Sequence, residues 1–241
     1  MSRLLILGAT GSLGRHVLRQ ALAAGHDVTV FVRTPSKLPP EVHERLSVHA
    51  GDLITALPGD LVKGQDALIN CAGHVADGET FVAMIDRLVT CVDLIPAAEQ
   101  PVCWLLAGAA LLEIDASGRR GVDLPAVKST YWPHQVNFER LSRSRVDWRL
   151  LCPGPMVDEP ALGLDRLRIS LDALLVEIPA AARALPDSSV VPVFASVIPQ
   201  MIVPYADAAA LMLANLDRGN AMSRHRVGLA LPVGMLGRKP Q

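Results

Sequence analysis

The chain has 241 residues, half of them apolar and one-fifth charged, with 4% aromatics and a formal net charge of −1. That length supports one α/β domain with a full core. The balanced charge and scarce aromatics speak against a nucleic-acid partner, and no run of about 18 apolar residues predicts a membrane span.

The first predicted element is a buried strand, Leu4 to Leu7, followed by Gly8-Ala9-Thr10-Gly11-Ser12-Leu13-Gly14 and an amphipathic helix from Ser12 to Ala24. Gly25 stands where a helix C-cap glycine is expected. A strand, glycine turn and helix in that order form a pyrophosphate receptor. The glycines let the backbone approach the phosphates, and the helix N-terminus offers free N–H groups and the positive end of a dipole. The alternative is a glycine turn that serves only helix–strand packing. Gly8, Thr10, Gly11, Ser12, Leu13 and Gly14 are the candidate contacts.

A second strand, Val28 to Val32, leads into Arg33-Thr34-Pro35-Ser36-Lys37. An NAD site places an acid at this point for the ribose diol. Here Arg33 stands in its place, and a guanidinium pairs bidentately with a 2′-phosphate. With Ser36 and Lys37 as further donors, NADP (as NADPH) is expected over NAD. The alternative is that Arg33 and Lys37 only solvate a loop. After a third strand, Leu46 to His49, Asp52 is a candidate acceptor for the adenine amino group and Leu53 a candidate ring contact; Asp52 in an ordinary turn is the competing reading. Ala67 to Asn70 is a fourth strand, and the small residues Cys71, Ala72 and Gly73 after it leave room for the nicotinamide ribose.

A long helix is predicted over Glu79 to Ala98, a fifth strand over Val102 to Ala107, a helix over Pro133 to Ser144 and a sixth strand over Trp148 to Cys152. Apolar strands alternating with helices predict a Rossmann-like, doubly wound parallel sheet. Ala107, Gly108, Pro153 and Gly154 are expected to line the nicotinamide. Beyond Cys152 prolines crowd the chain, with a helix predicted around Ser170 to Ala184, another over Tyr205 to Leu216 and a last strand over Arg226 to Leu231. The whole of 1–241 reads as one domain, with 1–152 the cofactor-binding core and 153–241 a smaller, dependent lobe on the substrate side. The tail from Gly237 to Gln241 is expected to fray.

The four cysteines form no close pair and are expected to be buried, reduced thiols in a cytoplasmic protein. No secretory signal is expected from Met-Ser-Arg running straight into a strand. His16, His26, His43, His49, His74 and His225 show no metal-ligand spacing, and no metal is expected.

With these motifs placed, the chain resembles the atypical short-chain dehydrogenase/reductases. GATGSLG, VRTPSKL, GDL and NCAG occur in family order. Leu105 to Glu113 resembles a segment of NADH-flavin reductase-like proteins, and Val146 to Pro153 resembles their sixth strand; NmrA-like regulators and biliverdin reductase B are more distant likenesses. The likeness covers roughly 1–160 and departs over 165–204. Many relatives carry Tyr-x-x-x-Lys and a Ser or Thr on the fifth strand, the Tyr giving a proton to a carbonyl. Here Tyr131 is followed at the fourth position by Gln135, and Gly108 occupies the strand position. A register set by Glu139-Arg140-Leu141 puts Thr130 and His134 in place of the pair instead.

Carbonyl reduction without a placed acid loses about 10²–10⁴ in rate. Hydride transfer to a flavin or quinone asks less, because the charge delocalises and solvent supplies the proton. The expected function is therefore an NAD(P)H-dependent reductase, NADPH preferred, of a flavin, quinone or other small aromatic acceptor, with flavin as a substrate. His134, expected to be partly protonated near neutrality, and Tyr131 are the candidate catalytic residues; a structural histidine is the competing reading. The alternatives are an NADP(H)-binding redox sensor without turnover and, disfavoured by the lost pair, a sugar-nucleotide epimerase. The expected partner is a small-molecule acceptor, with no nucleic acid or membrane, in a monomer or homodimer.

Overall fold

The computed structural model describes residues 1–39, 43–176, 192–193 and 195–238. Eight strands form one sheet in the order β3-β2-β1-β4-β5-β6-β10-β8. They are β1 (Arg3–Leu7), β2 (Asp27–Val32), β3 (Leu46–Ala50), β4 (Ala67–Asn70), β5 (Val102–Leu106), β6 (Trp148–Pro153), β8 (Arg168–Leu171) and β10 (Arg226–Ala230). All pairings are parallel except that of β8 with β10. The strand order reverses at β1, which lies between β2 and β4, and such a reversal opens a crevice at the carboxyl ends. The Rossmann-like α/β fold expected from the strand–helix alternation is present.

The central strands are buried on both faces because they alternate between two apolar layers. Leu5 and Leu7 of β1 join one core cluster, Leu4 and Ile6 the other. Helices α3 (Gly78–Asp93) and α4 (Pro125–Ser142) pack together, as do α1 (Gly14–Ala23) and α5 (Tyr205–Leu213). Helix α1 ends as expected: Gly25 adopts φ +77°, its N–H donates to the Leu22 carbonyl, and the His26 N–H donates to that of Ala21.

Several boundaries differ from expectation. Helix α4 starts at Pro125, eight residues before Pro133, which lies inside it. A proline opens a helix without penalty but breaks a bond within one; here Pro133 is buried, against the start of α3 at Gly78. Helix α3 stops at Asp93, three residues before Pro96 and short of Ala98. Ser170 lies in strand β8, not in a helix. Arg-Ile-Ser-Leu alternates with period two, the pattern of a half-exposed edge strand. The rest of that predicted helix falls largely outside the described residues, as do Pro179, Pro186 and the end of the tail. Cys71 and Cys91 are only half-buried, Cys103 and Cys152 fully buried, and all four are free thiols.

The segment after Cys152 divides in two. Strand β10 and helix α5 belong to the main sheet and its helix layer. The intervening loops and a two-stranded parallel pair, β7 (Met156–Val157) with β9 (Val203–Pro204), lie beside the carboxyl end of β6. These loops are tied down by charge. Arg15 and His16 of α1 both engage Asp158, and buried Asp207 accepts from the Leu162 and Gly163 amides at 2.8 and 2.9 Å. Among the described residues no helix is long and apolar enough to cross a membrane.

Of the described glycines, Gly14, where α1 meets the end of β1, has the least room for a side chain. A Cβ on Gly14 would sit 2.0 Å from the Gly8 carbonyl oxygen. Gly14→Ala should therefore cost about 1–3 kcal/mol of stability, about 2–4 °C of Tm for each kcal/mol. Gly59→Ala, where a Cβ meets nothing within 4 Å, should leave the melting curve nearly unchanged. Equal shifts for the two variants would contradict this packing account.

Candidate active-site cleft

The crevice predicted by the strand order is present as two adjoining cavities of about 640 and 420 Å³. Ala72, Gly73, His74 and Phe81 line both, so the two form one continuous cleft. Gly8, Thr10 and Gly11 border the larger cavity at the crossing point. Gly8 adopts φ +76°, and a Cβ there would lie 2.6 Å from the Ala72 amide nitrogen. The ends of β1 and β4 thus meet backbone to backbone, with no room for a side chain. Immediately beyond, α1 begins: the Arg15 and His16 N–H groups donate to the Gly11 and Leu13 carbonyls of the turn, and the positive end of the helix dipole favours an anion there. Ser12 is exposed and does not line the cleft; Leu13 and Gly14 are buried beneath it and shape the turn by packing.

Arg33 and Lys37 line the far end of the same cavity, but Ser36, in the exposed turn Pro35–Lys37, does not. Leu53 and Phe31 form an apolar wall there, and Gly51 leaves the space that the Phe31 ring fills. Asp52 also lines the cavity, but its Oδ1 accepts from the Ile54 amide at 2.9 Å, so at least one carboxylate oxygen serves the turn. The Arg87 guanidinium donates to the carbonyls of Leu53 and Ile54 and fixes that loop. Cys71 lines the cavity too, and burial pushes its thiol up to about 12, so it stays protonated and unreactive.

The smaller cavity joins Ala107, Gly108, Pro153 and Gly154 to Tyr131 and His134. A Cβ on Gly154 would lie 2.7 Å from the Met201 carbonyl oxygen, so this glycine lets β6 run close under the covering segment. The Tyr131 and His134 rings stack with centroids 6.2 Å apart and planes 11° apart, and Phe81 meets His134 edge-on. The His134 ring lies over Gly108: a Cβ there would be 3.2 Å from Nε2 and 3.3 Å from Cδ2. The absent fifth-strand hydroxyl is thus replaced by an imidazole edge. Gln135, where a lysine would follow Tyr131, turns to Glu139 at 3.1 Å.

Burial holds the His134 pKa down to about 4. The expectation of a partly charged imidazole at neutral pH is therefore incorrect. A ring packed against Phe81, Tyr131 and Gly108 loses the hydration its cation needs. It is a neutral donor and acceptor at physiological pH, not a resident acid.

Phe31, His74, Phe81 and Met84 also line the cleft, and of these only His74 stood out in the sequence. Phe81 lies on the inward stripe of α3 and is 4% exposed. Its helical spacing marks it as core and does not show that the core wall is also the cleft wall.

The cleft fits an extended anionic dinucleotide: it has a side-chain-free crossing at Gly8, a helix N-terminus beside it, cations at one end and a neutral, apolar chamber at the other. The comparisons agree. The NAD(P)H-binding family model matches residues 8–174. The uncharacterized protein YwnB of Bacillus subtilis is 26% identical over 159 residues, which are 64% of this chain and 72% of YwnB. A phenylcoumaran benzylic ether reductase of Ginkgo biloba is 30% identical over 106 residues, but only 39% of this chain and 35% of that enzyme align. SP1627 of Streptococcus pneumoniae, a candidate NADH-flavin reductase, superposes with a TM-score of 0.71 at 19% identity, over 96% of this chain and all of that one.

The His134 environment has a consequence for acid stability. The unfolded imidazole binds its proton near pH 6.5 and the folded one only near 4. Between those values the unfolded state holds more protons, so stability falls as pH falls, by roughly 3 kcal/mol across the window. His134→Gln should flatten this acid limb in denaturant titrations. A wild-type ring that titrates near pH 6.5 by NMR would contradict the buried placement.

Proposed function

This chain belongs to the NAD(P)H-binding family, and on that premise we propose that it is an NADPH-preferring reductase of a flavin, quinone or other small aromatic acceptor. The observation that carries the proposal is the division of one continuous cleft into a cationic end and an uncharged, ring-lined end. Arg33 and Lys37 line the first; Tyr131, His134, Gly108 and Pro153 line the second. A 2′-phosphate at the first end would take a bidentate guanidinium and a lysine ammonium. The pyrophosphate would lie over Gly8 and Gly11 on the N-terminus of α1.

When bound, the reduced nicotinamide supplies the hydride. The chain's part is to hold a planar acceptor against it in the smaller cavity. Gly73, Gly108 and Gly154 keep the walls low enough for rings, and the stacked pair Tyr131 and His134 gives them a face to lie on. Neutral His134 suits an acceptor whose reduced form delocalises its charge, because it offers a hydrogen bond without a ready proton. The lack of a Tyr-x-x-x-Lys pair favours this class over alcohols and sugars. The same lack motivates a second reading, a dinucleotide-binding redox sensor without turnover.

Steady-state oxidation of NADPH with FMN, FAD and quinones tests the proposal. Turnover with at least one is expected, and tight NADPH binding with no turnover for any would transfer the case to the sensor. Arg33→Ala should raise KM for NADPH by about tenfold or more, as loss of a charge-assisted pair of about 1.5–3 kcal/mol implies, while changing NADH kinetics little. Equal losses with both cofactors would show that Arg33 does not read the phosphate.

A further inference from the structure

Adjoining the smaller cavity, and sharing Phe81, Leu106, Ala107 and His134 with it, lies a second space of about 10 Å³, the size that admits one water. Its walls are Phe81, Ile85, Leu105, Leu150 and neighbouring apolar groups, with two polar side chains, His134 and Asn137. These two are i, i+3 neighbours on the inward side of α4. Asn137 is 5% exposed, and its Nδ2 is buried without a hydrogen-bond partner. An orphaned buried donor is costly, and an amide beside a water-sized space is satisfied by a water there. His134 borders both spaces. Its Nε2–Cδ2 edge faces Gly108 in the acceptor cavity, and Nδ1 is the ring vertex opposite that edge.

We propose that Asn137 is a positioning residue that holds one internal water against His134 Nδ1 and so fixes the ring as the Nε2–H tautomer, a hydrogen-bond donor to the bound acceptor. This inference rests on the proposed reductase reading and specifies the substrate within it. The Asn137 amide can only donate from Nδ2, so the water receives that hydrogen on its oxygen and turns its own hydrogen to the ring. Nδ1 then accepts, and the ring's proton resides on Nε2. The ring remains neutral at working pH because its burial disfavours the cation. The substrate that matches a fixed donor over Gly108 is one with a carbonyl oxygen or ring nitrogen beside its hydride-accepting atom. A quinone or an isoalloxazine meets that requirement, and a purely hydrocarbon ring does not. His134 donates only a hydrogen bond here; the proton that completes reduction comes from solvent.

The ¹⁵N NMR spectrum of the His134 side chain in the intact protein tests this without requiring turnover. Wild type should show the Nε2–H tautomer alone, and a crystal structure should show one ordered water within hydrogen-bond distance of Asn137 Nδ2. Asn137→Leu, which fills the space with a side chain of similar size, should mix the tautomers. It should also lower kcat about tenfold with the working acceptor and leave KM for NADPH unchanged. A wild-type Nδ1–H tautomer, or a folded Asn137→Leu protein with an unaltered His134 spectrum, would overturn the assignment. If Asn137→Leu fails to fold, the wild-type tautomer and water decide alone. Absence of NADPH oxidation with every acceptor would remove the reductase reading while leaving the tautomer result to stand or fall separately.

Discussion

The end of β1, the start of α1 and the end of β4 meet with no side chain between them, and the rest of the cleft is arranged around that contact. Gly8 lies against the backbone of Ala72, and Gly14 lies against the carbonyl of Gly8. A Cβ on Gly14 would push the helix off the sheet, and one on Gly8 would strike the backbone that follows β4. Because the helix stays close, its N-terminus lies beside the crevice at the strand reversal, where the dipole favours a diphosphate. The glycines therefore do two things at once: they close the α1 side of the core and leave the backbone bare where a ligand must approach.

Charge is distributed along the cleft in a way that follows from where each segment ends. The loop after β2 is exposed, so Arg33 and Lys37 carry hydrated charges cheaply. The far chamber lies between α3, α4 and β5, where a charge would lose its water. His134 responds by remaining neutral, and the polar groups around it act through hydrogen bonds. A cleft with one charged end and one neutral end orients a ligand that is itself divided between phosphates and an uncharged ring.

Much of this was legible in the chain. The short apolar runs and the glycine spacing revealed the sheet and the α1 corner, and the motifs supplied half of the residues bordering the cleft. Three kinds of feature were not. Pro133 looks like a helix start because a proline's local chemistry is the same at N1 as in a kink; only its packing on Gly78 distinguishes them. Arg168–Leu171 is too short for its alternation to prevail over the surrounding polar residues, and it becomes a strand because β10 offers an edge. The state of His134 depends on Phe81 and Gly108, far apart in sequence, and burial cannot be read from a helical position alone. Ser36, Ser12, Leu13 and Gly14 belong to the same motifs but do not line the cavity: Ser12 and Ser36 are exposed, and Leu13 and Gly14 are buried.

The account stands on a dinucleotide lying across the β1–α1 corner, and isothermal titration calorimetry of the intact protein measures that most directly. Saturable binding of one NADPH per chain, much weaker in Gly8→Ala, is the result expected. No heat with NADPH, NADP⁺, NADH or NAD⁺ from a folded sample would contradict it.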